Sequence, residues 1–384
     1  MGEMAAGKSL CLKLLKFFED IIPDLFCLPY SSFYNNLNID NMYNNLKNKF
    51  CNIFYFYRSN DKKPIQYNVT YTFSSKKNNF IMNISGSTGM DTEFKCDYLE
   101  KMLDKWKQKF YNDENLKPES VSVEYFLDVK HKFYRDMLKE FRYLFPLKTI
   151  FIPASRAVLL SSSSYNDEYL SDYSFFLRFL PRYKSNELPT DKILKAKIVY
   201  NDDSYLLESA DGRRISLGLG SSGQQEIATI LLLLDKLGNF DYTYGIKKSL
   251  IIDGLSAHIF PTDQKEFIEL IVNVYKKLKE KDKDKTPQTR FFITIHSPII
   301  LDCLNNMLKK GILLINHKDI RNDIEKLDIP SLHPNEFSAI FIKQDGSMQD
   351  IFATEEKIEV KEITELFKKI DDDKQKLSEF DKKY

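Results

Sequence analysis

Between Ser222 and Asn316 long helix-period segments alternate with short apolar runs, and this alternation limits the possible folds more than any other feature of the chain. The segment 226-EIATILLLLDKL-237 is apolar on nearly all sides, the pattern of a buried helix. After it come the run 249-SLIID-253, a helix over about 263–279, a charged loop 280-EKDKDKTPQ-288 and the run 290-RFFITI-295. Another helix and the strand-like 311-GILLIN-316 close the series. Strands that alternate with helices in this way predict an α/β fold with a parallel, helix-covered sheet. Further strands are expected at 148-KTIFIPA-154, at 193-ILKAKIVY-200, at 204-SYLLES-209 with 211-DGRR-214 as a turn, and at 337-FSAIFIKQD-345 and 348-MQDIFAT-354.

The first 147 residues read differently. In 8-KSLCLKLLKFFEDII-22 the apolar positions are broken by Lys13, Lys16, Glu19 and Asp20 in a helical rhythm, which predicts an amphipathic helix over about 8–21 and not a signal sequence. Met1-Gly2 is followed by Ala6 where a myristoylation signal has Ser or Thr. The aromatic and β-branched runs 51-CNIFYFYR-58, 66-QYNVTYTF-73 and 79-NFIMNIS-85 predict a strand meander. Over 97–145 the apolar residues recur at three-and-four spacing, predicting a small helical insert. The expected organisation is therefore an α/β domain in two parts, 1–96 with an antiparallel lobe and 148–370, interrupted by the insert 97–147 and ending in a charged tail 371–384 that is solvated or frayed.

The bulk properties exclude several classes. Lys and Arg number 56 against 55 Asp and Glu, a net charge of +1, so no global field recruits nucleic acid or an anionic membrane. Cys11, Cys27, Cys51, Cys96 and Cys303 are scattered and form no C-x-x-C pair, which points to reduced thiols and a cytoplasmic protein. No apolar run reaches the roughly 18 residues that a membrane span needs.

Four motifs carry chemistry. The stretch 2-GEMAAGKS-9 fits G-x-x-x-x-G-K-[ST] and runs into a helix. In such a loop Gly2 and Gly7 let backbone N–H groups wrap phosphates, Lys8 reaches the β and γ oxygens and Ser9 ligates magnesium; the alternative is a glycine-containing helix cap. A phosphate loop ordinarily follows a strand, and only Met1 precedes Gly2, so either a late start or a loop at the sheet edge is expected, with weakened nucleotide affinity. The turn 219-LGSSGQQE-226 opens an apolar helix and is either an anion site or a plain N-cap. Asp253 closes the run 249–253, where a carboxylate holds a magnesium-linked water or simply makes a turn. His296 follows the run 290–295, where a histidine bonds a γ-phosphate or an attacking water, or is structural.

Together GEMAAGKS, GSSGQQE, LIIDGLSAHIFPTDQ and FFITIHSPIIL, with FIPASRA at 151–157, resemble the ABC-type P-loop ATPases of the SMC-like and OLD-like (overcoming lysogenization defect) group. The resemblance covers 2–9 and most of 148–350. It implies a P-loop NTPase fold of mixed sheet with an antiparallel lobe, ATP and Mg2+ as cofactors, and a head-to-tail homodimer that sandwiches two nucleotides. Carried over by position, Gly7, Lys8 and Ser9 would bind phosphate and magnesium in cis. Ser221, Ser222, Gly223 and Gln224 would form the signature touching the partner's γ-phosphate, Asp253 would be the Walker B acid and His296 the switch histidine.

The chain departs from that group at one catalytic point. Relatives carry a glutamate after the Walker B acid, and here Gly254 stands there, with Ser256 at the second acid position. Loss of general-base assistance costs about 10²- to 10⁴-fold, so the expectation is an ATP-binding switch or scaffold with weak hydrolysis. The lobe and insert are too short for the arms of chromosome-tethering relatives. About thirty residues follow the last expected strands, far below domain size, which predicts a stand-alone ATPase without its own nuclease. By analogy of family, such a protein serves bacterial anti-phage defence or toxin-antitoxin-type control through a separate effector, a nuclease or toxin. The alternative is an active ATP hydrolase driving DNA-linked repair or restriction with a partner nuclease.

Overall fold

The first helix, α1 (Lys8–Cys27), forms because its apolar residues return on one face, and Leu12, Phe17, Phe18 and Ile21 are all buried. The structure, a computed structural model, describes residues 8–27, 39–53, 66–74, 79–87, 92–112, 132, 148–154, 190–201, 204–239, 248–255, 259–280, 289–345, 347–352 and 357–381. It is a mixed α/β fold with several small sheets, one of them parallel. The chain divides into two compact units, one made of Lys13–Thr149 with Ile246–Ser249, the other of Met1–Leu12, Ile150–Gly245 and Leu250–Tyr384.

Within the Lys13–Thr149 unit, α1 is followed by α2 (Ile39–Ile53), β1 (Gln66–Ser74), β2 (Asn79–Ser87), β3 (Glu93–Lys95) and α3 (Asp97–Asn112). The strands make the expected antiparallel meander in the order β1-β2-β3, with Gln66 opposite Ser87 and Asn83 opposite Lys95. Rings build its core. Phe17 meets Phe50 edge-on at 5.4 Å, Phe50 meets Phe94 at 6.0 Å, and Phe18 stacks on Tyr71 at 4.4 Å. The Tyr43 hydroxyl donates to the Glu100 carboxylate (2.7 Å) and accepts the Cys96 N–H (2.8 Å), which ties α2 to the start of α3. Lys16 and Asp20 form a buried ion pair one turn apart, and Glu19 accepts the Thr149 hydroxyl at 3.3 Å.

One strand expectation fails here. Cys51–Ile53 close α2 instead of opening a strand, because Met42, Leu46 and Phe50 recur every four residues and bury one face; that period outweighs the β-favouring composition. Residues 54–58 lie outside the described residues, as does the expected insert beyond Asn112 apart from Lys132.

The other unit holds the last three residues of β4 (Lys148–Ile152) and of β8 (Lys248–Ile252), and between them α4 (Thr190–Leu194), β5 (Lys197–Asn201), β6 (Ser204–Glu208), β7 (Arg214–Ser216) and α5 (Ser222–Asn239). It continues with α6 (Pro261–Glu280), β9 (Thr289–Ile293), α7 (Pro298–Asn316), α8 (Arg321–Glu325), β10 (Ile340–Ile342), β11 (Met348–Asp350) and α9 (Lys361–Asp381). Strands β4, β8 and β9 form the parallel sheet with β8 in the centre. Leu250, Ile251 and Ile252 are fully buried, as a central parallel strand covered on both faces requires. Leu231 and Leu234 of α5, Phe267 and Ile271 of α6, and Ile300 and Met307 of α7 pack into the same core. Strands β5-β6-β7 form a separate antiparallel sheet, and β10-β11 a hairpin.

Two further expectations are corrected. Ile193 and Leu194 close α4, and the strand starts only at Lys197, after Lys195 turns through the left-handed region at φ 55°. The run 311–316 is the last part of α7, not a strand. Gly311 stands there because the Leu332 backbone crosses the helix so closely that a Cβ would lie 1.9 Å from the Leu332 carbonyl oxygen. Residues 371–381 continue α9, and 371–374 are exposed.

Candidate functional site

The end of β8 is built by one threonine. The ladder runs a residue past the strand, with the Asp253 N–H donating to the Ile152 carbonyl (2.9 Å) and the Thr294 N–H to the Ile252 carbonyl (3.0 Å). In a regular parallel ladder the Gly254 N–H would next bond the Thr294 carbonyl. Gly254 instead takes φ +66°, and Leu255 N–H fills that carbonyl at 3.1 Å. The Gly254 N–H turns onto the Thr294 hydroxyl (2.7 Å), and that hydroxyl donates to Asp253 Oδ1 (2.7 Å). The carboxylate is thus held, 6% exposed, just past the tip of the central strand.

His296 lies two residues beyond Thr294, in the segment between β9 and α7. The next residue anchors this segment, since the Ser297 hydroxyl donates to the Gln264 side-chain oxygen while the Gln264 amide donates to the Ile259 carbonyl (2.9 Å). Pro298 then opens α7 at a position where no N–H is needed. The His296 ring reaches solvent, yet burial and the positive charge of Lys8 hold its pKa below the ordinary 6.5, with the Asp253 carboxylate pulling the other way. The imidazole therefore senses both Lys8 and Asp253. Lys8 is the first residue of α1 and is 6% exposed; Ser9 beside it is half-buried in the same first turn.

The structure thus brings Lys8, Asp253 and His296 into one electrostatic neighbourhood. Gly2, Gly7 and Ser256 lie outside the described residues. A lysine at a helix N-terminus suits an anion of the phosphate type. Asp253 and Ser9 offer hard oxygen donors, one carboxylate and one hydroxyl, the donor set of a magnesium ion that takes its other ligands from phosphate and water. Among the described residues no three His, Cys, Asp or Glu side chains gather into an all-protein cage.

Ser221–Gln224 occupy the start of α5, and the side chains of Ser221 and Gln224 are already engaged. The Ser221 hydroxyl accepts the Gln224 N–H (3.3 Å) and the Gln224 side-chain oxygen accepts the Ser221 N–H (3.0 Å), a reciprocal capping box. The Gln224 amide also donates to the Leu194 carbonyl at 3.0 Å, and Gln225 donates to the carbonyls of Gly218 and Gly220, both at 2.8 Å. This leaves exposed Ser222 and half-buried Gly223 to present the helix N-terminus. Leu219, 79% exposed, stands just before the turn.

Thr294, Gln264 and Gln225 escape a reading of the sequence. Only Thr294 leaves a trace there, because the two-residue period of a strand puts positions 294 and 296 on one face. No protein-family model matches the chain, and no curated protein matches it.

Proposed function

We propose that this chain is a nucleotide-gated switch, a P-loop ATPase of the ABC and OLD-like type that binds ATP with Mg2+, assembles as a homodimer and hydrolyses slowly. The observation that carries this reading is the meeting of Lys8 at a helix N-terminus with Asp253 past the central parallel strand and His296 after the next one. In the proposed site Lys8 neutralises phosphate charge, Ser9 and Asp253 hold the cation directly or through water, and His296, kept neutral near pH 7, accepts or donates a hydrogen bond at the terminal phosphate. Ser222 and Gly223 would offer their helix N-terminus to the nucleotide of a second copy. Slow turnover follows from Gly254, which supplies no general base next to Asp253. The resemblance in sequence supports a role in bacterial anti-phage defence or toxin-antitoxin-type control through a separate nuclease or toxin, and this part of the proposal rests on analogy.

Light scattering with Mg2+ and ATP on the wild type and Lys8→Ala tests the proposal. A mass that doubles with ATP in the wild type and stays monomeric in the variant is expected. Wild-type protein that neither binds ATP nor changes mass would overturn the nucleotide site, and phosphate release faster than about one per minute, abolished by Lys8→Ala, would replace the switch with an active hydrolase.

A further inference from the structure

We propose that Thr294 is a positioning residue that sets the Asp253 carboxylate for a divalent cation, an inference that rests on the nucleotide site proposed above. Thr294 makes four hydrogen bonds to four consecutive residues. Its N–H donates to Ile252, its carbonyl accepts from Leu255, and its hydroxyl accepts from Gly254 and donates to Asp253. The order of the hydroxyl's bonds matters. A backbone N–H can only donate, so the Gly254 N–H fixes the hydroxyl as acceptor on that side and aims its proton at Asp253 Oδ1. The Asp253 side chain, an oxygen donor of the kind that ligates a hard cation, is thereby held in one orientation.

Burial makes the arrangement stiff. Thr294 and Asp253 are each 6% exposed, so water does not compete freely for the hydroxyl or the carboxylate. The threonine is β-branched and its main chain is pinned on both sides, which restricts χ1 and leaves the hydroxyl one direction to point. Outer partners that orient a metal ligand in this way are worth about 10- to 100-fold in metal affinity. The sequence therefore carries the cation site on two adjacent strand ends, the acid on one and its orienting hydroxyl on the other.

The test is ATP binding by calorimetry, at a series of Mg2+ concentrations and in excess EDTA, for the wild type, Thr294→Val and Thr294→Ser. Thr294→Val keeps the branched shape and removes the hydroxyl. The Mg2+ concentration giving half of the Mg-dependent gain in affinity is expected to rise about 10- to 100-fold in Thr294→Val, while ATP affinity in EDTA stays within about twofold. Thr294→Ser, which retains the hydroxyl, is expected to keep the wild-type Mg2+ dependence. Should Thr294→Val fail to fold, Thr294→Ala lacks the hydroxyl equally and carries the same expectation. Unchanged Mg2+ dependence in Thr294→Val or Thr294→Ala overturns the role of Thr294 and leaves the nucleotide site standing. A uniform loss of affinity with and without Mg2+ also overturns it, because that is the result of a merely structural threonine. If wild-type protein binds no ATP, the nucleotide site itself falls and the inference falls with it.

Discussion

Replacing Gly254 by glutamate would install the general base that the proposed nucleotide site lacks beside Asp253, yet the backbone there argues that little hydrolysis is gained. At φ +66° a residue with a Cβ carries a conformational cost of roughly 1–2 kcal/mol. The steric part is small, since the added Cβ would meet the Ala154 Cβ at 3.4 Å, ordinary contact. To escape the left-handed region the chain would have to rotate the Gly254 N–H off the Thr294 hydroxyl, which also loosens the bond from that hydroxyl to Asp253. The first route carries the conformational cost, and the second installs the glutamate at the expense of the acid beside it. For a domain of this size each kcal/mol moves Tm by about 2–4 °C, so Gly254→Glu is expected to melt about 2–8 °C below the wild type. Scanning calorimetry on Gly254→Asn, Gly254→Ala and Gly254→Glu checks the cause: asparagine tolerates the left-handed region best and should lose least. Phosphate release by Gly254→Glu should stay short of the 10²- to 10⁴-fold gain that a working general base supplies. A glutamate variant with wild-type Tm and a gain of that size would refute the reasoning, and would mean that the turn adjusts at no cost.

Two further expectations are independent of any ligand. Gly311→Ala places a methyl group 1.9 Å from the Leu332 carbonyl oxygen and 2.8 Å from its carbon, so backbone must move. A loss of about 1–3 kcal/mol, read as a lower urea midpoint at unchanged slope, is expected, and an unshifted midpoint would contradict the close crossing. His296 has a pKa lowered by burial and by Lys8, so the folded protein holds this proton more weakly than the unfolded chain. Its effect on stability is therefore full above the ordinary 6.5 and is lost as pH falls through 6.5 towards the lower folded value. His296→Gln should flatten the fall of Tm between about pH 7 and pH 5; a steeper fall in the variant would reverse the assigned sign.

The alternation of helices and apolar runs made the parallel sheet legible from the residues alone, because burial on both faces leaves no polar position within 250–252 and helices of the right length intervene. Misreadings cluster where one local signal competes with another. At 51–53 aromatic composition suggested a strand while a four-residue burial period made a helix, and at 311–316 an apolar run that suggested a strand was the end of a helix, with Gly311 where another segment crosses it. Asp253 and His296 were visible as polar residues ending apolar runs. The hydroxyl that links Asp253 to its neighbour was not, since a threonine in a strand is commonplace and its meaning comes from a pairing 41 residues away. The left-handed turn at Gly254 was equally hidden, because a glycine advertises freedom without saying which conformation is used.

The reciprocal cap at the start of α5 has a consequence for how this segment can change over generations. Ser221 and Gln224 are each other's partners, so losing either strands the other's backbone contact, and losing both costs less than the two losses added together. Such a pair is inherited as a unit. Homologous chains should swap positions 221 and 224 jointly for another capping combination, while positions 222 and 223, which the cap does not employ, vary on a separate schedule set by whatever the helix terminus faces.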